Sequence, residues 1–157
     1  NFSKNNKDFH NAFKYNFFST TALVENSKNI LKNSKSKIIC LSSICGIESI
    51  EGAPLGYSLA KSALNFYIKL ISKDLAKKKV SINGIIPGNI LFPGSTWDLK
   101  LYKNKKKIKK YISQNVPINE FGSVNDIFNI CKMLSENDSY FMTGSLIKLD
   151  GGQTKST

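Results

Sequence analysis

Arginine is missing altogether from the 157 residues, and histidine occurs once, as His10. The formal net charge of +12 is therefore carried by lysine alone. Arginine is the side chain that grips phosphate with two parallel bonds and reads guanine edges. Without it, we read the lysine excess as solvated surface and expect no nucleic-acid partner. The densest run, Lys103 to Lys110, is interrupted by Asn104 and Ile108 and reads as the polar face of a helix. A solitary imidazole argues against Ser-His-Asp and Cys-His catalysis and leaves a zinc site short of ligands. The three cysteines, Cys40, Cys45 and Cys131, are odd in number and show no CxxC spacing. That disfavours a disulfide framework and suits a reducing, cytoplasmic setting. No apolar run approaches the ~18–20 residues of a membrane-spanning helix, and nothing at the start reads as a signal peptide, so no membrane partner is expected.

What remains is the length and composition of one domain. A hydrophobic fraction of 41% against 22% charged is ordinary for a globular chain. We take residues 1–157 as a single unit, too short for two. Apolar positions Phe9, Phe13, Phe17, Ala22 and Leu23 recur near helical spacing, predicting one long helix or two abutting ones from about Lys7 to Lys32. Lys37 to Ser42 is an almost continuous apolar run, the pattern of a strand covered on both faces. A loop with Gly46, Gly52, Pro54 and Gly56 follows, then a helix from Tyr57 to Lys77 with Ala60, Leu64, Ile68, Ile71 and Leu75 as its apolar stripe. Val80 to Ile86 predicts a second strand, stopped by Pro87-Gly88. Asn89 to Asp98 reads as irregular, Lys100 to Gln114 as basic helix, Val124 to Leu134 as another helix, and Ser145 to Leu149 as a last strand.

Strands alternating with helices at these separations predict right-handed crossovers and a parallel sheet, an α/β architecture. In such sheets ligands sit beyond the carboxyl ends of the strands. Here those ends are Ser42-Ser43, Pro87-Gly88 and Asp150-Gly151-Gly152, and the start of the Tyr57 helix lies at the same edge. Tyr57 and Lys61, four residues apart, share a helix face with Cβ atoms roughly 5–6 Å apart. A phenol titrates near pH ~10 and is a poor acid or base at neutrality. A neighbouring ammonium favours the phenolate, and a tyrosine so tuned can exchange a proton with a substrate oxygen.

YxxxK alone is a weak motif in a lysine-rich chain. The ordered set is stronger: Asn16, then Ser42-Ser43-Ile44-Cys45-Gly46, then Tyr57-Ser58-Leu59-Ala60-Lys61, then Asn83 to Pro87-Gly88, then Thr143-Gly144 and Asp150-Gly151-Gly152. In this order and at these separations the chain, from about Asp8 to Gly152, resembles the short-chain dehydrogenase/reductase family, most of all the bacterial-type reductases of acyl or sugar carbonyls and alcohols. The resemblance implies a Rossmann-like, doubly wound parallel sheet and an NAD- or NADP-dependent oxidoreductase interconverting an alcohol and a carbonyl of a small molecule. It implies Tyr57 as general acid/base, Lys61 as its pKa-lowering partner and ribose contact, and Ser43, rather than Ser42, as the hydroxyl that meets the substrate oxygen. Asn16 resembles the asparagine that holds a water in the proton relay. Pro87, Gly88 and Ile90 match the loop against the nicotinamide, and the helices around Asn16 and after Tyr57 are implied to pair across a two-fold axis in a dimer or tetramer.

The sequence also departs from that pattern. No TGxxxGxG or GxGxxG occurs, so the backbone cradle that lets a pyrophosphate approach a helix N-terminus has no counterpart here. We expect only about three strands, an apolar edge at the first of them, and a chain that is the catalytic C-terminal part of a longer enzyme. The alternative is a catalytically inactive fragment or a binding or assembly module of the same fold. Phe92 stands where the family often has a cofactor-bonding threonine, and Thr96 is the nearest substitute. Trp97 has two open roles, roof of the substrate pocket or packing on the next helix, and Asp150-Gly151-Gly152 has two, ligand contact or a closing turn.

Overall fold

The computed structural model describes residues 6–31, 35–136 and 139–155. Three parallel strands, β1 (Lys37–Leu41), β2 (Ser81–Pro87) and β3 (Leu146–Leu149), lie in spatial order β1-β2-β3. Around them stand α1 (Asn6–Phe13), α2 (Ser19–Leu31), α3 (Leu55–Lys77), α4 (Thr96–Asn115) and α5 (Val124–Ser135). This is the expected open, Rossmann-like α/β sheet. Strand β2 is central and buried at every position from Ser81 to Ile86, which explains its near-continuous apolar run. Ile82 and Gly84 face α3, while Ile85, on the alternate face, is equally buried; α5 covers β1 and β2 from that side.

The main core joins Val24 of α2, Cys40 of β1, Leu64, Ile68, Ile71 and Leu75 of α3, and Val80 and Ile82. Strand β1 pairs only with β2 among the described residues, and Leu41 at its end is 50% exposed, so the expected apolar edge is present. The first helical stretch is continuous from α1 to α2 through a π-helical turn at Lys14–Phe18, whose flanking residues keep α-helical angles. Lys32, where that helix was expected to end, lies outside the described residues.

Two boundaries differ from expectation by more than one residue. Helix α3 begins at Leu55, two residues early, because Pro54 in extended geometry turns the chain into it. Helix α4 begins at Thr96, inside the stretch expected to be irregular. Ser95 caps it, its hydroxyl accepting from the Asp98 N–H at 3.1 Å. Helix α4 is also broken at Asn104, whose φ of −156° and ψ of 80° split it into two limbs.

Candidate active site

The carboxyl end of β1 delivers Ser42 and Ser43, both buried, to the start of α3. Ser43 opens a 3-10 turn, Ile44–Gly46, and its hydroxyl accepts from the Cys45 N–H at 3.2 Å. The turn lies directly on α3 because Gly46 has no side chain: a Cβ there would stand 2.7 Å from the backbone carbon of Lys61 and 2.8 Å from Asn65 Nδ2. The last residue of Ser-Ser-Ile-Cys-Gly is thus a spacing device that sets Ser43 against the first turns of α3.

That contact brings the two central residues together. The Ser43 hydroxyl stands close enough to the half-buried Tyr57 phenol to act on its pKa. Burial raises the phenol above its ordinary value, the Ser43 hydroxyl opposes this, and Cys45 nearby adds to the rise. The net direction is upward, opposite to the acidification expected from the YxxxK spacing. The reason is visible in Lys61. Its Nζ lies 5.7 Å from the Tyr57 ring centroid and donates to the Leu41 carbonyl at 2.8 Å. Burial lowers the Lys61 ammonium, which the Cys40 thiol opposes. Desolvation therefore outweighs attraction in this pair. Ser42 has a different task, its hydroxyl pointing to the Lys61 carbonyl at 3.5 Å and tying β1 to α3.

Asn16 lies in the π-helical turn, and its amide donates to the Ala12 carbonyl at 2.9 Å. Gly56 of α3 packs against Ala12 and Phe9, while Tyr67 of α3 meets Phe17 edge-on at 6.1 Å. The π-helical turn that bears Asn16 therefore packs along α3. A widened turn leaves backbone groups without their regular partners, and such turns gather at functional sites.

At the end of β2, Pro87 and Gly88 press on the exit of β3. Gly88 donates to the Leu149 carbonyl at 2.9 Å, and a Cβ on it would meet the Asp150 Cα at 2.9 Å. Ile90 forms a parallel bridge with Gly122: Gly122 donates to Asn89 at 3.0 Å and Leu91 donates to Gly122 at 2.8 Å. Those bonds leave the N–H and C=O of Ile90 on the opposite side, unpaired among the described residues. Asn83 of the strand motif is structural, donating to Met142 at 2.8 Å and accepting from Ser145 at 3.1 Å. Asp150 is consumed by its own turn. Thr154 and Gly152 donate to its carboxylate, and these bonds, against the upward push of burial, leave its pKa lowered. Trp97, in the first turn of α4, packs on the later part of the same helix, stacked 5.3 Å from Tyr111, and meets Phe121 at a tilt 5.6 Å away. The Leu41 carbonyl and the buried, unpartnered Nδ2 of Asn89 had no signal in the sequence, since neither burial nor a backbone partner is written in residue type.

A family model described as enoyl-(acyl carrier protein) reductase matches residues 2–154. The chain belongs to the short-chain dehydrogenase/reductase family. Within that family it is 32% identical over 125 residues to the 3-oxoacyl-[acyl-carrier-protein] reductase of Buchnera aphidicola subsp. Baizongia pistaciae, covering 80% of this chain and 48% of the relative. Among solved short-chain dehydrogenase/reductase folds, 4-hydroxyisoleucine dehydrogenase complexed with NADH superposes with a TM-score of 0.88 at 23% identity, covering 99% of this chain and 63% of that one. L-sorbose reductase from Gluconobacter frateurii, complexed with NADPH and L-sorbose, matches with a TM-score of 0.88 at 21% identity over 99% of this chain and 61% of the other. The chain spans about half the length of the curated relatives it matches. No helix among the described residues is long and apolar enough to cross a membrane.

Proposed function

We propose that this chain is the catalytic part of an NAD- or NADP-dependent oxidoreductase that interconverts an alcohol and a carbonyl. The observation that carries the reading is the approach of the Ser43 hydroxyl to the half-buried Tyr57 phenol at the head of α3, with Lys61 one helical turn on. A substrate oxygen placed between those two hydroxyls would meet two donors at once. In the reducing direction Tyr57 donates its proton to that oxygen as negative charge develops there, and Ser43 holds the same oxygen by a second bond. In reverse, the phenolate takes the proton back. The raised pKa of Tyr57 before any ligand binds suits the acid role, keeping the proton in place until charge appears on the oxygen. Asn16, on the π-helical turn that packs along α3, is proposed to hold a water that returns the proton to Tyr57.

The residues present fit the nicotinamide end of the cofactor. Tyr57 and Lys61 supply donors for a ribose, Pro87 and Gly88 form a wall, and the free N–H and C=O of Ile90 suit a carboxamide. When bound, the cofactor supplies the hydride. For the substrate we put first a 3-oxoacyl group borne by a carrier protein, since the Buchnera relative is named for it. A homo-oligomer is part of the reading: Leu55, Leu59, Phe66 and Leu70 leave an exposed apolar stripe along α3, next to exposed Tyr15 and Phe18.

The test is carbonyl turnover by the whole protein with Tyr57→Phe. General acid catalysis of this kind contributes about 10²- to 10⁴-fold, and turnover within a few-fold of the parent would reject the assignment. A second reading, a non-catalytic binding or assembly module, is favoured by the lack of a glycine-rich phosphate motif in this sequence. NADH and NADPH titrations followed by nicotinamide fluorescence separate the two, because such a module gives no saturable binding.

A further inference from the structure

We propose that the outer face of α4 docks an acidic protein that delivers the substrate, a proposal that rests on the carrier-borne substrate named above. Helix α4 holds Lys100, Lys103, Lys105, Lys106, Lys107, Lys109 and Lys110, all exposed, against a single acid, Asp98. Asp98 is already engaged, its carboxylate accepting from the Gly94 N–H at 2.8 Å. The ion pairs Lys28–Glu25 and Lys77–Asp74 lie on other helices. Seven lysines to one acid exceeds the four to one of α3 and the one to one of α1, α2 and α5.

The patch is held in place and located. The break at Asn104 folds α4 back, and the Trp97–Tyr111 stack clamps its two limbs together. The Asn104 side chain caps the second limb, accepting from the Lys107 N–H at 3.0 Å. Ile108 and Ile112 are buried beneath that limb, and Gln153, just past β3, donates to the Tyr111 hydroxyl at 3.3 Å. The platform is thus moored to the exits of β2 and β3, the same sheet edge that carries Ser43 and Tyr57. On the first limb Leu99 and Tyr102 are exposed, Tyr102 at 94%, giving the cationic field an apolar border.

The occupant follows from these features. A membrane needs an exposed apolar helix face to enter the interface, and the apolar face of the lysine-rich limb is turned inward. Nucleic acid is disfavoured by the absence of arginine. Point charges around a small apolar border, spread over a limb roughly 15 Å long, suit the carboxylates of a protein surface. Such charges steer encounter and are weakened by salt.

The experiment measures binding, not turnover, by fluorescence anisotropy with a purified acidic acyl carrier protein bearing its phosphopantetheine arm. Parallel arms use anionic phosphatidylglycerol vesicles and a single-stranded oligonucleotide. Four reversals on α4, Lys103→Glu, Lys105→Glu, Lys106→Glu and Lys109→Glu, should weaken carrier binding at least tenfold. Four reversals elsewhere, Lys69→Glu, Lys73→Glu, Lys78→Glu and Lys132→Glu, should change it less than twofold, with both sets melting as the parent does. Should the α4 set melt early, lysine-to-glutamine changes at the same four positions repeat the test. Equal weakening by the two sets, no carrier binding at low salt, or tighter α4-dependent binding of vesicles or oligonucleotide each overturns the proposal. Carrier binding without turnover would count against the oxidoreductase reading alone.

Discussion

At the scale of single residues, burial decides the chemistry. Tyr57 and Tyr67 are both raised by burial, Tyr67 further by Glu25, which accepts from its hydroxyl at 3.2 Å. A phenol raised above its unfolded value of about 10 favours the neutral form in the fold. Its contribution to stability is complete below that pH and is lost as pH climbs through the folded value. Tyr57→Phe is therefore expected to move the alkaline unfolding midpoint upward; an unchanged or lower midpoint would contradict the burial argument. Cys40 gives a second check. Burial raises its thiol to about 11, opposed by Lys61. At pH 8 that leaves on the order of 0.1% thiolate, so maleimide labelling of the folded chain should spare Cys40 until the pH nears 11. The sequence brought Tyr57 and Lys61 to one helix face, but spacing carries no information about desolvation, and so the direction of the Tyr57 shift was not legible.

At the scale of elements, close approach does the positioning. Gly46→Ala would drive a Cβ into the backbone of Lys61, which cannot move as a side-chain tip can. Overpacking of this kind costs about 1–3 kcal/mol, and the 3-10 turn should lift off α3. Urea melts should show the loss, and Ser43 should draw away from Tyr57 with it. Ser123 and Asp126 form a reciprocal cap at the start of α5. Ser123→Ala is expected to cost about 1 kcal/mol, measured by the same melts. Strands, α3 and α5 were legible because apolar runs and helical stripes dictate them. The first turn of α4 was not, since proline and glycine at 93 and 94 suggested irregular chain while the decisive feature was one serine hydroxyl. The break at Asn104 left no mark in a run of lysines.

At the scale of the molecule, the described sheet is three strands wide, with β1 and β3 at its edges. Residues from β1 to β3 assemble the candidate site, while β1 offers a flank unpaired among the described residues, ending in exposed Leu41. The α3 stripe of Leu55, Leu59, Phe66 and Leu70 predicts self-association. Phe66→Glu should shift the mass measured by light scattering toward the monomer, and an unchanged oligomer would remove that face from the account. The central claim is that Tyr57 and Ser43 act on one oxygen. It is tested most directly by a double-mutant cycle on single-turnover hydride transfer in the whole protein, using Tyr57→Phe, Ser43→Ala and the pair. Partners on one oxygen should each cost about 10²-fold or more, and together less than the product of the two. Independent, fully multiplicative losses, or rates near that of the parent, would contradict it.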